Sequence, residues 1–186
     1  RFPGKVCHEV AYIRKFGIPG RRYCVGPSLQ TIGREARAVA CSTTSLDCDF
    51  QASIPSVCKL LAHRYEIADD CRSLLLYVQH PQAWKSFISE YYEVNEDDAK
   101  KMILRTFFGG KPADGNPWLW GLLSDVIRIR EKVLADAKFA YLGGMFCDRP
   151  NPLMSRFAYA VFSEEDALLE GLLERLFFTF QDAVVV

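Results

Sequence analysis

Between residues 54 and about 140 the apolar side chains recur every three or four positions. That is the period of an amphipathic helix and not of a strand. Starts and stops break this run into several helices. Ser53 and Pro55 suit a helix start, and Val57, Cys58, Leu60 and Leu61 follow at helical spacing, to about Tyr65. A second helix is expected from Asp69 or Asp70 to Gln79, with Leu74, Leu75 and Val78 apolar. A third begins near Pro81 and carries Trp84, Phe87, Ile88 and Tyr91. The fourth has the clearest ends. Asn95 is an N-cap, Glu96, Asp97 and Asp98 complement the positive end of the dipole, and Gly109-Gly110 stops the helix. Ala99, Met102, Ile103 and Phe107 form its buried stripe; Lys100, Leu104 and Phe108 form the opposite one, with Lys101 and Arg105 beside it. After a polar loop, Lys111 to Asn116, Pro117 opens a long helix to about Lys138.

The flanks read differently. Residues 1–20 look like loop with one short element, and 20–33 are polar, turn-rich and basic. Ala38 to Cys41 and Ser45 to Phe50 read as short strands. Phe139 to Cys147, with Gly143-Gly144 at its centre, reads as a hairpin. An amphipathic helix is expected over 153–179, and Ala183 to Val186 begins a strand. Strands flanking a helical block make the expected fold class α+β.

Composition narrows the function classes. The 186 residues are 49% hydrophobic and 13% aromatic, enough for a packed core. Lys plus Arg and Asp plus Glu both number 23, so overall charge does not drive nucleic-acid binding, although a local basic groove is compatible with it. Residues 1–40 hold eight basic and two acidic side chains, while 163–182 hold six acidic and one basic. The seven cysteines form no C-x-x-C pair, which points to reduced thiols in an intracellular compartment, cytoplasm or nucleus. No membrane span or signal peptide is expected. The first residue is Arg1 and the last three are valines, so the sequence is expected to be part of a longer chain. His8, His63 and His80 are isolated, and no Ser-His-Asp order, Walker loop or G-x-G-x-x-G motif occurs.

One stretch carries chemistry. In Leu46-Asp47-Cys48-Asp49-Phe50 two carboxylates lie two residues apart, on one face of an extended strand, just before a helix. Such a strand end can hold Mg²⁺, which takes one or two carboxylates plus substrate phosphates. On spacing alone the pair more often caps or solvates the strand.

The order of pieces resembles the family A DNA polymerases, the DNA polymerase I group, over nearly the whole chain. In that family T-G-R leads to P-N-L-Q-N-I-P, then a basic stretch, then a strand ending in D-Y-S-x-I-E. Here Gly20-Arg21 leads to Pro27-Ser28-Leu29-Gln30-Thr31-Ile32, then Arg34 and Arg37, then Asp49-Phe50-Gln51-Ala52-Ser53-Ile54. The family's fingers helix has a Lys followed eight and nine residues later by Tyr-Gly; here Lys100 is followed by Phe108-Gly109. The Asp49, Pro55 and Lys100 pattern is also similar to divergent forms from large DNA viruses and mobile elements.

The resemblance implies a palm sheet with a mostly helical fingers insertion. Residues 1–53 would be the N-terminal palm with a basic primer–template segment, 54–138 the fingers, and 139–186 the palm return. The implied reaction is template-directed DNA synthesis from deoxynucleoside triphosphates on primer–template DNA, by a two-Mg²⁺ mechanism. Asp49 would bridge the metals, with the Phe50 carbonyl and Asp47 as further candidate ligands. Lys100 would meet the triphosphate and Phe108 the nascent base pair, while Ile54 would lie beside the incoming sugar. Arg21, Gln30, Arg34 and Arg37 would contact the duplex. Outside the resemblance, Lys100 reads equally well as a solvated helix lysine and Phe108 as core.

Four departures stand out. The family's Arg four residues before the fingers Lys is Glu96; its Asn-Phe-Gly is Ile103-Leu104-Arg105; its sugar-gating Glu corresponds to Ile54; and its return-helix Gln has no evident counterpart, Phe162 standing in that place. The second catalytic carboxylate would follow residue 186, so residues 1–186 alone are expected not to extend a primer. Two other readings remain open: a catalytically inactive nucleic-acid-binding module, and a helical interaction domain.

The branched Ile54 is expected to exclude a 2′ hydroxyl, since an unpartnered buried hydroxyl costs about 1–3 kcal/mol. That is roughly 5–150-fold discrimination. Single-turnover incorporation of competing ribo- and deoxynucleotides by a complete enzyme should show that Ile54→Ala relaxes the preference; unchanged discrimination would place the gate elsewhere.

Overall fold

The computed structural model describes residues 11–14, 17–18, 22–25, 35–36, 39, 52–112 and 115–181. Six α-helices dominate them: α1 (Ser53–Arg64), α2 (Arg72–Gln79), α3 (Pro81–Tyr92), α4 (Glu96–Phe107), α5 (Pro117–Ala135) and α6 (Pro152–Gln181). Two 3-10 turns, Ala68–Asp70 and Ala137–Leu142, join them. Strands β1 (Ala11–Arg14) and β2 (Arg22–Val25) pair antiparallel, with Ala11 opposite Val25 and Arg14 opposite Arg22. Among the described residues no helix is long and apolar enough to cross a membrane.

Helix α5 is central. It packs against α1, α2, α4, α6 and the second 3-10 turn. The reason is in its sequence: Leu119, Leu122, Val126, Ile129 and Val133 recur at spacings of three and four, and each is at most 1% exposed. Pro117 suits the first turn, and Asn116 Oδ1 accepts from the Trp118 and Leu119 amides at 3.0 and 3.1 Å. Buried Asp125, in mid-helix, accepts from the Leu74 amide at 3.0 Å and so caps the neighbouring helix α2. Burial pushes the Asp125 carboxyl up, and this backbone bond opposes the shift. Gly121 lets the two helices approach, because a Cβ there would lie 2.4 Å from Ser73 Oγ. Cys58 and Cys71 are buried core thiols; desolvation raises them to about 12 and about 11, so both are protonated at neutral pH.

The α+β expectation of a palm sheet is overturned. The described residues are mainly helical, and their strands form only the β1–β2 ribbon. Residues 139–147 are not a hairpin. Asp136 Oδ1 accepts from the Lys138 amide at 2.8 Å and starts the 3-10 turn Ala137–Leu142. Phe139 and Leu142 are three apart, so a 3-10 turn buries both on one side, at 2% and 1% exposure. A strand would send them to opposite faces. Val39, the one described residue of the expected strand at 38–41, is helical and 77% exposed; the rest of that stretch lies outside the described residues. Strand β1 falls where one short element was expected within residues 1–20, and β2 falls where a turn-rich stretch was expected. Tyr23, Cys24 and Val25 favour extended backbone, but four-residue strands among glycines and a proline carry little periodic signal. The expected strands at 45–50 and 183–186 lie outside the described residues. The remaining helices run close to their expected limits, including 153–179, observed as Pro152–Gln181.

One core runs across residues 138 and 139, since Phe139, Leu142, Phe157 and Val161 belong to the same buried cluster as Leu61, Ile103 and Ile129. A polar clamp closes its edge. Glu164 of α6, 4% exposed, pairs with Arg64 at the end of α1 at 2.8 Å and with Lys138. Beside it the Tyr65 hydroxyl donates to Asp136 Oδ2 at 2.7 Å. Desolvation pushes the Glu164 carboxyl up, but the bonds from Arg64 and Lys138 outweigh it and the net shift is downward.

Breaking this clamp from the cation side should cost more than from the acid side. Arg64→Met leaves a buried carboxylate with Lys138 alone and is expected to cost about 3 kcal/mol. Glu164→Gln should cost less, because Arg64 and Lys138 are 40% and 51% exposed and can turn to water. The folded pKa of Glu164 lies below its unfolded value, about 4.3. Its contribution is therefore complete above that value and lost as pH falls through the folded one. Urea unfolding from pH 7 to 3 should show this acid loss in the parent and a smaller one in Glu164→Gln.

Candidate functional site

Helix α4 positions two of the three described residues that the sequence singled out for substrate contact, Lys100 and Phe108; the third, Ile54, is on α1. Asn95 Oδ1 accepts from the Asp98 amide at 2.9 Å, which fixes the helix start. Ala99, Ile103, Thr106 and Phe107 face the core. The other side carries exposed Lys100, half-exposed Leu104 and Phe108 at 38% exposure. Lys100 and Phe108 are thus two turns apart on one accessible stripe, and Arg105 is exposed beside them.

The stripe continues onto α6. The Phe108 ring centroid lies 6.3 Å from that of Phe162, which lies 6.0 Å from Tyr159. Tyr159 stacks on Phe146 at 4.6 Å, and the Arg149 guanidinium sits 4.9 Å from the Phe146 centroid. Arg156 donates to the Met145 carbonyl at 3.0 Å and fixes this turn against α6. The result is a row of rings from Phe108 to Phe146 that ends on an arginine, with Lys100 two turns back along α4 from Phe108.

The sequence singled out Phe162 as a departure but missed Tyr159, Phe146 and Arg149 as its neighbours. Tyr159 and Phe162 share a helical face at i, i+3, which is a legible signal. Their meeting with Phe108 is a tertiary contact with no local signature.

The chain reaches this arrangement through Gly109. Its φ is +81°, and a Cβ there would lie 2.6 Å from Met154 Cγ. The start of α6, capped by Asn151 Oδ1 accepting from the Met154 amide at 3.2 Å, is thereby held against the end of α4.

Glu96 stands at the head of the stripe, where the polymerase resemblance led to the expectation of an arginine. Its carboxylate accepts from Gln82 Nε2 at 2.9 and 3.0 Å and from Ser86 Oγ at 3.4 Å. It holds α3 to α4 and presents no positive charge. Ile54 lies in the first turn of α1, half-buried and packed against the core, so its substitution also removes packing. Asp47, Asp49, Phe50, Arg21, Gln30, Arg34 and Arg37 lie outside the described residues. Among the described residues no group of three or more His, Cys, Asp or Glu could hold a metal.

Chemically, the stripe offers a point charge for a phosphate and, at Phe108, one exposed ring for a flat apolar group; Phe146 is buried and Tyr159 and Phe162 are half-buried behind it. Gly109→Ala is expected to cost about 1–2 kcal/mol, because an L side chain is strained at positive φ and meets Met154. Thermal unfolding should show the loss. An unchanged midpoint would mean that this turn is free to rearrange.

No protein-family model, no curated protein and no solved structure matches this chain.

Proposed function

We propose that this chain is the nucleotide-gripping part of a template-directed nucleotidyltransferase that makes DNA. The observation that carries the reading is the α4 stripe: Lys100 and Phe108 lie two turns apart on one exposed face, and Phe108 meets Phe162 of α6. A triphosphate needs a cation that can follow its oxygens, and a lysine on a capped helix supplies one. A nucleobase needs a flat apolar partner, and the Phe108 ring supplies one beside it.

In this reading Lys100 binds the triphosphate and Phe108 packs on the forming base pair. Asp49, with the Phe50 carbonyl and Asp47 as further ligands, would hold Mg²⁺, which would supply Lewis-acid chemistry for nucleotidyl transfer. Arg21, Gln30, Arg34 and Arg37 contact primer–template DNA, chiefly at phosphates.

A second reading, a nucleic-acid-binding module without catalysis, is favoured by Glu96. That residue puts a carboxylate where the resemblance has an arginine, and its bonds to Gln82 and Ser86 give it a structural task.

Binding of a fluorescent deoxynucleoside triphosphate with Mg²⁺ separates the two. Lys100→Ala should weaken it by about 10–100-fold, as expected for one charge-assisted bond of about 1.5–3 kcal/mol. The unfolding midpoint should stay unchanged, because Lys100 is exposed. Phe108→Ala should weaken primer–template binding, and that binding should fall as salt rises. Nucleotide binding indifferent to Lys100 would sink the transferase reading. Duplex binding without any nucleotide affinity would favour the module.

A further inference from the structure

A second aromatic surface lies on α3 and the start of α5 and takes no part in the proposed reaction. Trp118 is 43% exposed and Tyr91 49%. Their rings are joined through half-buried Phe87, which lies 4.7 Å from Trp118 and 6.0 Å from Tyr91, centroid to centroid. Buried Trp84 meets Trp118 edge-on at 5.1 Å and fixes its plane. The exposed rings therefore rest on core side chains. Patches of large exposed apolar groups held in place this way mark interaction sites.

The charge beside them selects the partner. Glu90 lies three residues after Phe87 and one before Tyr91, so it flanks the ring ladder; Glu93 ends the same helix. Both are exposed, and among the described residues neither has an ion-pair or hydrogen-bond partner for its carboxylate. At the start of α4, Asp98 pairs with Lys101 at 2.7 Å and Glu96 bonds Gln82. Unpaired carboxylates would repel a phosphate backbone and attract a cation. A guanidinium satisfies both parts of the surface, since it stacks on aromatic faces and pairs with carboxylates.

We propose that the Trp118–Phe87–Tyr91 ladder with Glu90 and Glu93 is a docking surface for an arginine-bearing segment of a partner protein. It is independent of the α4 stripe, because it uses none of the residues proposed to bind nucleotide or DNA.

The test uses this chain and three labelled probes: a short arginine-rich peptide, its lysine counterpart and single-stranded oligothymidylate. Fluorescence anisotropy should show the arginine peptide binding more tightly than the lysine one. Tyr91→Ala and Trp118→Ala should each weaken it about fivefold or more, and Glu90→Gln with Glu93→Gln should weaken it and flatten its salt dependence. Asp69→Asn, which removes an exposed carboxylate elsewhere, should leave affinity unchanged. If Trp118→Ala fails to fold, the Tyr91 and glutamate variants still decide, because they alter exposed groups. Peptide affinity indifferent to these variants would overturn the proposal. So would oligothymidylate binding that depends on Trp118 and Tyr91, which would make the ladder a base-stacking platform.

Discussion

Five aliphatic side chains along one face of α5 are sealed from water, and the other helices are arranged around them. Burying each contributes about 2 kcal/mol, so together they supply roughly 10 kcal/mol before chain entropy is subtracted. Among the described residues no polar contact competes with that. The Glu164 clamp is conspicuous, but the attraction in such a buried pair largely repays the desolvation of its charges. The apolar stripe therefore sets which helices associate. The clamp and the Asp125 cap set how they are aligned, because a slip would strand a buried carboxylate without its bonds.

This division explains what the sequence made legible. The helices from 54 to 135 announce themselves because burial on one face imposes a period, and period survives in a single sequence. The start of α4 was readable for a different reason. Asn95 followed by three acids satisfies local backbone groups, and local bonds leave local signatures. The turn at Ala137–Leu142 was misread because aromatic and branched residues around two glycines look alike in a hairpin and in a 3-10 turn. The deciding fact was that Phe139 and Leu142 face one core, which is tertiary. Strand β2 and its pairing with β1 were missed because four residues are too few to show alternation.

The candidate site divides the same way. Lys100 and Phe108 were legible, since both sit on one helix whose ends were clear. Phe146, Tyr159 and Arg149 were not, because their relation to Phe108 depends on α6 docking against the end of α4 at Gly109. The role of Glu96 was equally hidden: nothing local in the sequence explains the carboxylate, and only its bonds to Gln82 and Ser86 give a reason for it.

The last turn of α4 is where the two aromatic systems come nearest in sequence. Phe107 turns inward and meets Tyr77 at 5.8 Å; Tyr77 meets Trp84 at 5.6 Å, and Trp84 meets Trp118. Phe108 turns outward to Phe162. Adjacent helical residues are about 100° apart around the axis, so one turn of helix serves both a buried network and an accessible one. Each ring on the buried side is at most 4% exposed until Trp118. The inner rings are thus fixed by packing, and the two accessible surfaces are built on a common rigid support. Rigidity of this kind keeps each surface in place; it does not by itself transmit a change between them, because transmission needs an element with two arrangements. The geometry accordingly favours two independently acting surfaces on one helical scaffold.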